Sequence, residues 1–558
     1  MDSKRIFILI TTVCLMSGGL SIISSFGEAE AANTNPEMIA PDGAIYGYET
    51  FMNKDDSFSR LLEYTPGEDS TVYLRSALEG YVLTELGDES FKNCSSIEKI
   101  IIPKNVRYIG HEAFSDCGNL SVYFLGSFPQ IENDTFLNTD VTLYKSTIQS
   151  EGWPSSTENM DYRVYAGENC SFEYLILDGE ITVYYHIYGT VIEIPDEIDG
   201  IPVTRIGQSA FEEKYGDKTN EITSLRLGKN VVKISDRAFY DCNKLKTANI
   251  PNGVVYIDDE AFRQCYVMED VKLPGTLKYL GFESFRMCHG FKDIVIPDSV
   301  TTIEGGAFYD CNNAETLYIS NNVELLSERA FGYCSNLKKA TVPNSVTEME
   351  HSTFYSCRSM ESVNLGENVK TIGDWSFYQC ESLKEVRFGE SLEYLGIHCF
   401  EKCACLDDVH IPNSMISIGE YAFSECDSLK DVSFGSSLDS IGKRAFTACK
   451  SLTEVVLPES LCSVGDYAFF GCTALKKAVF EGECPEFGQK VFDKTDSLFI
   501  IEFNSEHENS WADFSLYDAE PIRTEGTDGK SSFNTAILAT VSVLAIFAII
   551  VLVRRIGK

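Results

Sequence analysis

The densest gathering of side chains able to do chemistry is HCFEKCAC, residues 398–405, which supplies His398, Cys399, Cys403 and Cys405, with His410 close behind. Imidazole nitrogen and cysteine sulfur are soft ligands suited to zinc or copper. The spacing, however, matches none of the standard zinc patterns. Cys403 falls at a position that carries cysteine repeatedly along the chain, and Cys399 replaces a small alanine in front of Phe400, so only Cys405 is left over. The chain has seven histidines, His111, His186, His289, His351, His398, His410 and His507, and no Gly-x-Ser-x-Gly, His-Glu-x-x-His, phosphate-loop or EF-hand pattern. Paired carboxylates abound, but in so acidic a chain most are simply solvated. No catalytic residue, metal site or cofactor is expected, and the chain reads as not an enzyme. An enzyme would have to draw its groups from the less regular segment 137–200.

The bulk numbers narrow the partners. A formal charge of −38, from 84 acidic and 46 basic residues, excludes the basic footprint that nucleic acid requires. Lys4 and Arg5, an apolar stretch from Ile6 to about Ile23 and small residues up to Ala31 read as a secretory signal peptide over 1–31. A second apolar run, 536–553, is long enough to cross most of a bilayer and is followed by Arg554, Arg555 and Lys558. These ends predict an exported protein with a single span, its mass outside the cell and residues 554–558 in the cytoplasm.

What would position any functional side chain is a repeat. Phenylalanine recurs every 23 residues at twelve positions from Phe239 to Phe492, within octapeptides such as EGGAFYDC (304–311) and GEYAFSEC (419–426). Phe211 adds a looser repeat, and Phe91, Phe114 and Phe136 mark a separate short array. Twelve residues before each phenylalanine of the long series stands an apolar residue, as in KATVP, where Ala340 and Val342 alternate with Lys339 and Thr341 like a half-buried strand. Proline or glycine usually follows and ends it. Ala-Phe-x-x-Cys places ring and thiol on one face of a short helical turn, with acidic residues such as Asp374, Glu420 and Asp466 favouring its N-terminus. Of 19 cysteines, 13 stand three residues after a phenylalanine. Neighbouring thiols would point the same way one strand spacing apart, so free buried thiols acting as small hydrophobes are expected rather than disulfides. Sequons at Asn93, Asn133 and Asn169 occur about as often as chance allows.

Two stretches break the period alike. FLGSFPQIENDTF (124–136) lines up with FEGECPEFGQKVF (480–492), and each is followed by a tryptophan, Trp153 or Trp511. These are the atypical ends that a solenoid needs. The unit seen as CNKLKTANIPNGVVYIDDEAF and CSNLKKATVPNSVTEMEHSTF resembles the BspA-like, treponemal-type leucine-rich repeat, as does IEIPDEIDGIPVTRIGQSAF (192–211). The resemblance covers about 80–525. It implies an α/β solenoid, a right-handed leucine-rich-repeat superhelix of 23-residue repeats, in a family associated with surface adhesion and partner recognition. The expected organisation is signal peptide 1–31, first array with cap 32–165, main array with cap 166–525, linker 526–535, transmembrane helix 536–553 and tail 554–558. No lipoprotein-type cysteine or sortase-like signal accompanies it.

The concave strand face of such a solenoid is its usual recognition surface. Thirteen residues before each phenylalanine the sequence varies freely, and Arg226, Asn249, Lys272, Tyr318, Thr341, Asn364, Arg387 and His410 are the candidate ligand-facing column. The expected function is adhesion or recognition of a protein or glycan on another cell or in the extracellular matrix. A structural coat or spacer without a soluble ligand is the alternative.

Overall fold

A backbone that returns every 23 residues has to find its hydrogen-bond partners in the neighbouring coils, because no coil is wide enough to pair with itself. The computed structural model describes residues 37–524 except 40–42, 53–56, 68, 79–80, 146–152, 155–156, 161, 213–220, 270 and 513–521. The signal-like segment 1–31 and the apolar run 536–553 lie outside the described residues. Among the described residues no helix is long and apolar enough to cross a membrane.

Each coil meets the next in three places. A three-residue strand such as Lys339–Thr341 pairs in parallel with Ser362–Asn364, Ala340 standing opposite Val363. A two-residue strand such as Glu348–Met349 pairs with Leu325–Leu326 behind and Thr371–Ile372 ahead. These short strands run through a 17-stranded sheet that opens on three longer ones, Tyr162–Ala166, Ser171–Leu177 and Glu180–Tyr188. The third meeting place is the Ala-Phe-x-x-Cys segment, where the expected helical turn is absent. Residues two before and two after the phenylalanine are left-handed: Arg237 and Asp241 at φ 54° and 57°, His398 and Lys402 at 56° and 63°. An α-helix needs right-handed values throughout. The reversals turn alternate peptides along the stack, so that the N–H groups of Arg237, Phe239 and Asp241 donate to the carbonyls of Asp259, Ala261 and Arg263 at 2.8–2.9 Å. A helical turn would have spent those donors on itself. The architecture is therefore a β-solenoid of leucine-rich-repeat type, built from strands and turns rather than from strands and helices. The helical residues described are Ser505–His507 and Glu508–Trp511.

The acidic residues placed before the turn serve the same lateral bonding. Asp88, Asp259, Asp374 and Asp466 accept from the backbone N–H of His111, Phe282, Ile397 and Gln489, each in the following coil. Coils also approach so closely beside this position that a Cβ on Gly442 or Gly465 would lie 2.7 or 2.5 Å from the preceding coil's backbone.

Inside, the phenylalanine rings from Phe211 to Phe492 form one stack, with neighbouring centroids 4.9–5.8 Å apart and planes within 14° of parallel. The cysteines beside them are free and buried, and they do more than fill space. Cys357 Sγ donates to the Phe331 carbonyl of the preceding coil at 3.3 Å, Cys380 to Phe354 at 3.4 Å and Cys472 to Phe446 at 3.0 Å. That carbonyl already accepts an N–H within its own turn, as Phe331 does from Cys334, so the thiol satisfies the second lone pair. Burial pushes the Cys334 and Cys380 thiols up to about 12, which keeps the proton that the bond requires.

A first core, around Phe91, Phe114 and Phe124, is separate from the main one. Trp153 closes it by packing on Phe124 and Phe128 at 5.5 and 4.8 Å, as Trp511 closes the main core on Phe480 and Phe503 at 5.0 and 5.1 Å.

Replacing Cys357 by alanine removes a buried donor and should cost about 1–2 kcal/mol in a denaturant titration; no loss would show that the thiol only fills space. At exposed, left-handed Glu425 (φ 59°), Glu425→Val should destabilise by about 1 kcal/mol or more while Glu425→Gly is neutral or stabilising in the same measurement.

Candidate binding face

Alternation along each three-residue strand sends its middle residue inward and its outer two to solvent, the pattern seen in Glu385–Arg387 and Asp408–His410. The third residue is the column that varies in the sequence. Arg226, Asn249, Lys272, Tyr318, Thr341, Asn364, Arg387 and His410 are all exposed, and all but Lys272 close a strand. Parallel pairing in register puts neighbours side by side, as with Val295 and Tyr318 or Thr341 and Asn364. Tyr318 is 51% exposed and Val295 56%, an apolar patch in the stretch of the row from Arg226 to His410, and Val456 is a further exposed apolar member. Local partners pin some of the others. Arg387 Nε donates to Glu385 Oε1 at 2.7 Å, and His410 Nδ1 lies 2.9 Å from Ser433 Oγ.

A second column beside it was missed in the sequence reading. Sixteen residues before successive phenylalanines stand Lys246, Glu269, Lys292, Glu315, Lys338, Glu361, Lys384, Asp407 and Lys430, alternating in sign without a break. All are exposed, and adjacent members share backbone bonds, for example Glu361 N–H to Lys338 O at 2.7 Å. Lys338 pairs with Glu315, and Lys246 lies 3.5 Å from Glu269. Opposite charges one strand spacing apart attract weakly at the surface, whereas a like pair would repel. The ladder neutralises this edge of the face in a chain that is strongly acidic overall. Where acids do meet, the cost is visible: a hydrogen bond to Asp407, with burial next, raises the Asp408 carboxyl above its ordinary range.

The turns carry a third ordered column. Trp375, His398, Tyr421, Arg444 and Tyr467, each at the left-handed position before a phenylalanine, interleave face to face. Ring centroids lie 5.3 Å apart for Trp375 and His398 and 4.6 Å for His398 and Tyr421, and the Arg444 guanidinium sits 5.5 and 5.1 Å from the rings of Tyr421 and Tyr467. The rings and the guanidinium cover one another's faces.

The soft-ligand cluster does not assemble. Cys403 donates into the core to the Phe377 carbonyl, Cys399 is buried beside it, His398 belongs to the turn stack, and Cys405 and His410 are exposed on other parts of the coil. Among the described residues no group of three or more His, Cys, Asp or Glu could hold a metal ion.

In the first array the equivalent row faces protein instead of solvent. Tyr73, Ile101, Tyr123 and Tyr144 stand in register across the strands Thr71–Tyr73, Lys99–Ile102, Gly118–Phe124 and Thr139–Lys145. Ile101 and Tyr123 are buried against Met160 and against Leu175 and Tyr184, from the long strands that open the main array.

The family described as BspA type leucine-rich repeat region matches residues 78–173, 181–314, 301–417 and 396–511. The chain belongs to that family. Solved structures similar to it include a leucine-rich repeat protein from Bacteroides ovatus, 25% identical over 65% of this chain and all of that one, with a TM-score of 0.47. A leucine-rich cell-surface protein from Faecalibacterium prausnitzii is 20% identical over 87% of this chain and all of that one, with a TM-score of 0.30. The leucine-rich repeat protein of Treponema pallidum is 29% identical over 33% of this chain and 86% of that one, with a TM-score of 0.28. No curated protein matches the sequence.

Glu361→Lys would place a third positive charge between Lys338 and Lys384. It should destabilise the protein by about 0.5–1 kcal/mol at low salt and progressively less toward 1 M NaCl; a cost that salt leaves unchanged would show that the ladder does not act through its charges.

Proposed function

We propose that this BspA-type protein is a surface-anchored recognition protein that binds a protein or glycan through the exposed strand row of its main array and carries out no chemistry. The observation that carries the reading is the contrast within one strand. The inward residues are apolar in coil after coil, whereas the outward neighbour changes from Arg226 to Tyr318 to Arg387 along successive short sheets, each paired in register. A face with fixed geometry and variable side chains suits recognition of an extended surface. Export through the segment 1–31 and anchoring by the apolar run 536–553 would set that face outside the cell. Protonated, buried thiols offer no nucleophile and no metal ligand, which fits binding better than catalysis.

Alanine at Arg226, Lys272, Tyr318 and Arg387 together should abolish capture of a cell-surface or matrix partner without lowering the melting temperature. Full capture by the fourfold variant would overturn this choice of face.

A further inference from the structure

The two arrays meet at a joint whose charges do not balance. Arg75, from the first array, is buried with its Nη1 2.6 Å from Asp259 Oδ2 and its Nη2 3.3 Å from the Tyr279 hydroxyl. The next residue, Ser76, donates its backbone N–H to Asp236 Oδ2 at 2.9 Å. Lys233 pairs with Asp258 at 2.6 Å. Asp236, Asp258 and Asp259 are each at most 2% exposed, and Asp236 Oδ1 and Asp258 Oδ1 have no hydrogen-bond partner. Three carboxylates thus face two cations, with Tyr279 beside Arg75 and Glu304 acting on Tyr279 from beyond. A surplus buried negative charge is far more costly than a neutral carboxyl.

We propose that the joint is a proton-gated clasp: the closed form holds one proton on Asp236 that the open form releases, and opening uncovers the Tyr73–Ile101–Tyr123–Tyr144 row of the first array. Burial, then Asp258, pushes the Asp236 carboxyl up to about 8 although Arg75 pulls it down. In an open joint, with water and without Asp236's burial, the group returns toward the ordinary carboxylate range. Closing therefore takes up a proton. It strengthens as pH falls and weakens as pH rises from about 4 toward 8. A second contact runs the other way. Burial opposes ionisation of Glu212, but Lys104 of the first array and Arg237 outweigh it and hold that carboxyl at about 2, so this bridge is lost only as pH falls below the ordinary glutamate range. The clasp is then tightest in mildly acidic solution, and it does not depend on which ligand the main array binds.

Oxidative footprinting of the full chain at pH 5.5 and pH 9 tests this. Met160, 3% exposed in the joint, is the reporter, and Met360, 0% exposed in the main core, is the internal standard. Oxidation of Met160 relative to Met360 should rise at least tenfold from pH 5.5 to pH 9. In Asp236→Asn, which keeps an acceptor for Ser76 but cannot ionise, the ratio should stay at its low value at both pH values, and in Arg75→Ala it should be high at both while Met360 stays protected. Equal protection of Met160 at both pH values in the unmodified protein, the same rise in Asp236→Asn, or a protected Met160 in Arg75→Ala would each overturn the proposal.

Discussion

Each coil of this protein satisfies much of its backbone through the coils on either side of it. In the turn alternate donors point forward, as with Arg237, Phe239 and Asp241 bonding to Asp259, Ala261 and Arg263, while those between them close bonds within the turn. That shared bonding ties ring, thiol and turn together: even across the longer coil from Phe211 to Phe239 the rings stack at 4.9 Å, Phe211 N–H donates to Ala238 O and Cys242 Sγ donates to Phe211 O. It also explains the left-handed residues around each phenylalanine. Their strain, of the order of 1 kcal/mol each, is offset by lateral hydrogen bonds that a helical turn could not form.

The thiol is the part of this design with most bearing on function. A row of cysteines in an acidic protein suggests redox chemistry or metal binding. Here thiols such as Cys357 and Cys380 have a structural acceptor, the phenylalanine carbonyl behind them, and burial keeps the Cys334 and Cys380 thiols protonated. With the interior committed to holding coils together, variation is left to the outward columns. These differ in character. The lysine–acid ladder and the turn stack satisfy themselves, ion against ion and ring against ring, whereas the row from Arg226 to His410 carries the polar variety and the exposed Tyr318.

The two arrays use the same strand row in opposite ways. In the main array it is polar and open; in the first it is Tyr73, Ile101, Tyr123 and Tyr144, closed against the strands that open the main array. The resulting joint combines an apolar seal with an ionic lock, and the surplus carboxylate makes that lock sensitive to protons.

Much of this was open to a reader of the chain alone. The fixed spacing of phenylalanine and the alternation in KATVP require stacked coils with strands and a ring-lined core, because a unit this short cannot bury its own apolar face. The turn was beyond such a reading, since a three-residue gap between Phe and Cys fits a helical turn as well as one of mixed hand. A few left-handed sites hold glycine or asparagine, such as Gly306, Gly471 and Asn93, but most hold residues like Arg237, Trp375 and Lys402 that do not announce them. The alternating column from Lys246 to Lys430 was present in the letters but has meaning only once register sets residues 23 apart side by side. The joint lay furthest out of reach. Arg75 and Asp259 are 184 residues apart, and nothing local in either segment requires the other. Periodicity determines what repeats because every coil solves the same local problem, whereas the meeting of the two arrays is decided once, by shape and charge that exist only after both have folded.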